Sequence, residues 1–121
     1  MAFQNCLSGS ILTIDLDAIA DNYRILRKTA NPTKVAAVVK ANAYGLGADK
    51  IAPLLQNSGC DIFFVATLDE AVQLRSILPQ AEIHVFNGIL PGWPKVMIEH
   101  RLCPVLNSLE QVTIWHKQAQ N

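Results

Sequence analysis

The chain has 121 residues, enough for one domain with a hydrophobic core, and half of its residues are hydrophobic. Ten basic and ten acidic side chains give a formal net charge of zero, so the sequence predicts no binding of nucleic acid or of anionic membranes through a broad positive surface. No apolar run approaches the roughly 20 residues of a transmembrane helix. The sequence therefore predicts a protein that does not span a membrane and that acts on small molecules or on other proteins.

The amino terminus and the cysteines predict a cytoplasmic protein. Residues 1–6 lack the basic start and apolar stretch of a secretory signal. Cys6, Cys60 and Cys103 are far apart and form no CxxC or Cys/His spacing, which predicts neither a disulfide framework nor a zinc site. Cys103 lies in an apolar stretch and is interpreted as a small buried hydrophobic residue.

Strand-like apolar runs alternate with amphipathic helical patterns along the chain. The first predicted strand covers residues 12–16, and a helix over residues 17–30, with an acid as its N-cap, ends at Asn31-Pro32. A second strand covers residues 35–39. A second helix over residues 49–58 tolerates Pro53 in its first turn.

The second half continues the same alternation. A strand over residues 62–65 precedes a helix that opens with Thr67 and Glu70 at capping-box spacing and ends at Pro79. Strands are then predicted over residues 83–86 and 103–106, separated by a short helix over residues 93–100. The last helix repeats the capping-box spacing with Ser108 and Gln111.

Strand beginnings near positions 35, 62, 83 and 103 recur every 20 to 27 residues, so a helix separates each pair and the strands are predicted to be parallel. The run over residues 35–39 lacks period-2 alternation, which is typical of strands covered on both faces. The fold class is therefore α/β, and a doubly wound sheet and a TIM barrel both remain open. As a (β/α)₈ barrel needs about 250 residues, a barrel reading makes this chain about half a barrel, with open strand edges and an uncovered inner face.

The most informative segment is an apolar run that ends in a lysine followed by a turn of small residues. It reads Val38-Val39-Lys40-Ala41-Asn42-Ala43-Tyr44-Gly45-Leu46-Gly47. The run places Lys40 at the carboxyl end of a strand, the edge at which parallel α/β folds gather ligand-binding and catalytic groups. A primary amine there can condense with an aldehyde. By position alone, however, Lys40 is more simply an ordinary strand-terminal lysine, solvated or paired with an acid.

This segment resembles the signature around the pyridoxal phosphate (PLP) lysine of alanine racemases. Two further stretches, residues 14–22 and 68–71, are similar to the family's opening strand and first helix and to its next βα junction, so the resemblance covers about the first seventy residues. There is one departure. Where family members commonly have His in Ala-Tyr-Gly-His-Gly, this chain has Leu46, and any role of that His is missing or supplied otherwise.

The resemblance implies a fold-type III PLP enzyme with an amino-terminal TIM-like barrel, a carboxyl-terminal β domain and active sites built by two subunits. Residues 1–121 would then be part of the barrel domain, without the β domain, and the parent enzyme would be a homodimer. Lys40 is implied to hold PLP and to act as acid and base on one face of the substrate Cα. A tyrosine of the partner subunit serves the other face. Tyr44 matches the family tyrosine whose hydroxyl reaches the PLP phosphate; otherwise it packs against the next helix.

The implied activity is racemisation of alanine, which supplies D-alanine to the cell wall. We expect the 121-residue piece alone to lack appreciable activity, because the family's other site residues lie downstream. The alternatives are a non-catalytic PLP-binding homeostasis barrel, another fold-type III amino-acid racemase, and a structural fragment whose Lys40 binds PLP only nonspecifically. No metal site is predicted. Asp15 and Asp17 are interpreted as a strand end and an N-cap, and the scattered histidines as structural or surface residues.

Overall fold

The structure is a computed structural model that describes residues 9–119, so the predicted amino-terminal features, including Cys6, lie outside the described residues. The helices are α1 (Leu16–Ala30), α2 (Lys40–Tyr44), α3 (Ala48–Asn57), α4 (Leu68–Ile77), α5 (Trp93–Glu99) and α6 (Leu109–Ala119). The strands are β1 (Ala37–Val38), β2 (Ile62–Val65), β3 (Glu82–Val85) and β4 (Leu102–Pro104). Between residues 9 and 119, no helix has the length and apolar content needed to cross a membrane.

The four strands form one parallel sheet in the order β1-β2-β3-β4. Right-handed connections between strands in sequential order place the connecting helices on one face of the sheet, whereas a doubly wound sheet reverses its order to cover both faces. The sequential order therefore decides between the two folds that the sequence left open. The chain is an α/β protein in which parallel βα units form about half of a TIM-type barrel, as predicted.

The core lies between this sheet and its helices. Phe63, Val65, Ile83 and Val85 are almost completely buried, while the residues that alternate with them in β2 and β3 are partly or fully exposed. Val38, on the opposite side of β1 from Ala37, is 40% exposed. The expectation that these strands are covered on both faces is thus wrong for the described residues. Half a barrel supplies no strands opposite its own inner face, so only the helix-facing side is buried.

The predicted strand over residues 12–16 is also wrong. Residues 9–15 form no strand, and Ile11 and Leu12 are 79% and 75% exposed. Leu16 instead begins α1, because the Asp15 carboxylate, and not that of Asp17 as predicted, caps the helix by accepting a hydrogen bond of 2.9 Å from the Ala18 N–H. The cap draws Leu16 into the helix, and the apolar residues before it remain outside any strand.

Two predicted capping boxes have different outcomes. At α4 the box is complete: Thr67 Oγ1 accepts from the Glu70 N–H, and the Glu70 carboxylate accepts from the Thr67 N–H. At α6, Ser108 Oγ accepts from the Gln111 N–H at 3.2 Å, but Gln111 Oε1 accepts from the N–H of Asn107, one residue before the predicted partner. The spacing located both helix starts.

Arg75 ties the carboxyl end of α4 to the sheet. Its guanidinium donates five hydrogen bonds of 2.7 to 3.2 Å, all to backbone carbonyl oxygens. The acceptors belong to Leu78, Pro79, Ala81, His100 and Arg101. One side chain therefore joins the segment leading into β3 to the segment leading into β4.

Candidate functional site

Lys40 lies at the carboxyl end of β1, as the sequence predicts. The Val39 N–H donates to the Phe64 carbonyl at 2.9 Å, which carries the pairing of β1 with β2 up to the residue before Lys40. Lys40 is half-buried, whereas the chain's five other lysines, all among the described residues, are exposed. The fold therefore sets this amine apart from the others.

The segment after Lys40 has an unusual backbone. Ala41, Asn42, Ala43 and Tyr44 all have φ between 51° and 56°, so they form one turn of left-handed helix. L-residues pay about 1–2 kcal/mol each in that conformation, or roughly 4–8 kcal/mol for four. The sequence predicted a turn here, but it did not predict that four residues other than glycine would share this strained conformation. Other contacts must hold the turn in place.

Part of the support comes from inside the segment. The N–H groups of Gly45 and Gly47 donate to the carbonyls of Ala41 and Asn42, each at 2.9 Å. Asn42 Oδ1 also accepts from the Ala48 N–H at 2.8 Å, which fixes the turn to the start of α3. Gly45 and Gly47 have φ of 86° and 96°, as expected of turn residues that take positive φ.

Further support comes from Glu70, at the start of α4. Its Oε1 accepts a hydrogen bond of 2.8 Å from the N–H of Ala41, the first left-handed residue. Its Oε2 accepts from the N–H groups of Ala66 and Thr67 at 2.8 and 3.2 Å. Sequence reasoning assigned Glu70 to the cap alone. Glu70 and its partner are 29 residues apart, so no local sequence pattern links them. The available signal was that the carboxyl ends of β1 and β2, as neighbouring parallel strands, lie at the same edge of the sheet.

Tyr44 accompanies Lys40 at this edge. The Lys40 Nζ lies 6.0 Å from the centroid of the Tyr44 ring, at the outer limit of a cation–π contact. The Tyr44 side chain is 64% exposed, so most of it is open to solvent rather than buried against α3. The structure thus brings the two predicted site residues together.

The exposed face of the sheet near this edge carries stacked aromatic rings. Phe64 lies 4.5 Å from His84 and 4.9 Å from Phe86, centroid to centroid, with interplanar angles of 16° and 26°. His84 Nε2 also lies 2.6 Å from Glu82 Oε1. These contacts agree with the interpretation of His84 as a structural or surface residue. Cys103 is partly buried, and burial raises the pKa of its thiol, which fits its interpretation as a packing residue.

One protein-family model matches most of the chain. Residues 14–121 match the model described as alanine racemase, N-terminal domain. The chain belongs to this family. The resemblance found over about the first seventy residues therefore continues to the end of the sequence.

Relatives in the family share about half of their residues with the chain over the matched region. An alanine racemase of Brucella ovis is 50% identical over 109 residues, 89% of this chain and 28% of its own length. A protein of Mesorhizobium japonicum named alanine racemase, catabolic, is 48% identical over 109 residues, 89% of this chain and 29% of its own. The chain thus spans less than a third of the curated relatives that it matches.

Solved structures of the family have the same fold over this region. The alanine racemase of Bartonella henselae, a structure with covalently bound pyridoxal phosphate, superimposes with a TM-score of 0.85 at 44% identity. The match covers 88% of this chain and 30% of the Bartonella protein. The parallel βα arrangement is accordingly that of an alanine racemase amino-terminal region.

Proposed function

We propose that this chain is the amino-terminal part of a PLP-dependent enzyme that interconverts L- and D-alanine, and that Lys40 holds the cofactor. The observation that carries the proposal is the setting of Lys40. It is the one lysine of the chain that the fold withdraws from solvent, and it lies at the carboxyl edge of a parallel sheet. Membership of the alanine racemase family and the covalently bound PLP of the Bartonella relative support the same chemistry.

The residues at this edge fit the cofactor. PLP presents an aldehyde, for which the Lys40 amine is the matching partner, and a phosphate, which the exposed Tyr44 hydroxyl could bind as a donor. When bound, PLP acts as an electron sink for the charge left on the substrate Cα after its proton leaves. We assign Lys40 and Tyr44 to cofactor binding and Lys40 to catalysis.

The role of Lys40 in racemisation follows from stereochemistry. To invert Cα, a proton must leave one face and return to the other, so a group is needed on each face. The Lys40 amine would hold and move the proton on its own face. Tyr44 is assigned to the PLP phosphate, so the opposite face needs a further group. We propose that a tyrosine of the partner subunit supplies it, in a homodimer of the parent protein.

The cellular role is proposed on the same basis. We assign the reaction to the cytoplasm and to the supply of D-alanine for the cell wall. The name of the Mesorhizobium relative favours a second role, the breakdown of alanine, which needs the same chemistry. Deletion of the gene separates the two roles: dependence of growth on added D-alanine supports cell-wall supply, and failure to use alanine as a nutrient supports breakdown.

Borohydride trapping tests the assignment of Lys40. The chain is incubated with PLP, reduced and digested, and the adduct is mapped across its six lysines. We expect the adduct mainly on Lys40, because only this amine is held at the ligand-binding edge. Even labelling of all six lysines would refute a PLP site. An adduct on Lys40 without racemisation of L-alanine by the longer protein containing this segment would favour the non-catalytic PLP-binding module.

A further inference from the structure

We propose that Glu70 is a positioning residue for Lys40: its carboxylate holds the left-handed turn of residues 41–44 and thereby fixes the direction in which the amine leaves β1. This inference rests on the proposed function of Lys40. It gives Glu70 a second role in addition to capping α4, which is the one role that the sequence predicts.

The two oxygens of the Glu70 carboxylate have separate tasks. Oε2 completes the start of α4 by accepting from the N–H groups of Ala66 and Thr67. Oε1 takes no part in that cap and, within residues 9–119, accepts only from the Ala41 N–H, at 2.8 Å. Because the cap needs one oxygen, the hydrogen bond that Oε1 accepts serves another element, the turn that follows β1.

The position of Ala41 makes this bond consequential. Ala41 directly follows Lys40 and is the first of the four left-handed residues. Its methyl side chain has no means of holding the strained backbone, and its N–H is fixed by a charged acceptor, which forms the stronger kind of hydrogen bond. Without that acceptor, Ala41 would relax toward the ordinary right-handed or extended region, and the amine of the preceding residue would turn with it.

The helix cap has to be separated from the positioning role, because Glu70 serves both. Thr67→Ala removes the hydroxyl that accepts a hydrogen bond from the Glu70 N–H and leaves the Glu70 carboxylate in place. It therefore weakens the helix cap alone. Asp69→Asn removes a neighbouring exposed carboxylate with no capping bond and controls for charge. Glu70→Ala removes both roles, and Glu70→Gln keeps one accepting oxygen in place of two.

Two measurements are made on each 121-residue variant. The first is the share of the borohydride-reduced PLP adduct found on Lys40. We expect Glu70→Ala to lower the preference for Lys40 over the other lysines by about tenfold, as the loss of a charged hydrogen bond implies. Glu70→Gln should fall between Glu70→Ala and the wild type, while Thr67→Ala and Asp69→Asn should keep the wild-type preference. Thr67→Ala should still lower the urea midpoint.

The second measurement is amide hydrogen exchange at Ala41, which does not involve PLP. Exchange at Ala41 should accelerate at least tenfold in Glu70→Ala relative to Thr67→Ala. If wild-type protein labels all lysines evenly, the proposed function fails, and the exchange rate alone decides whether Glu70 holds the turn. A Glu70→Ala protein with the exchange rate and the Lys40 preference of Thr67→Ala would overturn the inference and leave Glu70 a capping residue only.

Discussion

Substitution of Arg75 by methionine should destabilise the protein more than any change of an exposed arginine. Methionine keeps much of the aliphatic stem but donates no hydrogen bonds, so five carbonyl oxygens lose their donor. Three guanidinium nitrogens share these bonds. We assign about 1 kcal/mol to each nitrogen, less than is usual for hydrogen bonds of a charged group, because water can reach part of this half-buried site. The loss is then roughly 3 kcal/mol.

Urea unfolding followed by circular dichroism measures this loss. With a slope of about 1.5 kcal/mol per molar urea, Arg75→Met should lower the midpoint by roughly 2 M. Arg75→Lys should fall between wild type and Arg75→Met, because one ammonium cannot span acceptors on two separate segments.

The matched control is Arg24→Met. Arg24 pairs with Asp21 at 2.6 Å, but both side chains are more than half exposed, so this pair contributes about 0.5 kcal/mol or less. Equal midpoints for the Arg75→Met and Arg24→Met proteins would refute the reasoning, because the carbonyl contacts of Arg75 would then contribute nothing to stability.

Two further predictions concern α1. Burial first of all, together with the nearby Cys60 thiol, raises the pKa of Tyr23 to about 12, so the unfolded tyrosine loses its proton near pH 10 while the folded one keeps it. The stability that neutral Tyr23 contributes is therefore present below pH 10 and lost as the pH rises toward 12. The difference in free energy of unfolding between wild type and Tyr23→Phe should narrow over that range, and a difference that stays constant would contradict this. Asp15→Ala should cost about 1 kcal/mol of unfolding free energy through loss of the N-cap, and Asp17→Ala, in the first turn, about a few tenths. Equal losses of the two variants in urea unfolding would show that Asp15 is not the cap.

The parts of the fold that depend on residues close together in the sequence could be predicted from it. The strand at residues 62–65 and the cap formed by Thr67 and Glu70 were found where the pattern placed them. Strand order is a long-range property, so periodicity alone left a barrel and a doubly wound sheet equally open. The strand expected at residues 12–16 failed because the Asp15 carboxylate caps a helix that begins at Leu16.

The candidate site divides in the same way. Lys40 could be placed because an apolar run ends abruptly in a charged residue. The left-handed turn after it could not, since alanine disfavours that conformation and the turn is held by contacts instead. The bond from Ala41 to Glu70 crosses 29 residues and is visible only once β1 and β2 lie side by side.

The central claim is that one amine, that of Lys40, binds PLP. Its most direct test is the stoichiometry of PLP retained after borohydride reduction and removal of free cofactor. We predict about one PLP per chain for wild type and for Lys34→Ala, whose lysine is exposed, and close to none for Lys40→Ala. Equal retention by the Lys40→Ala and Lys34→Ala proteins would contradict the account.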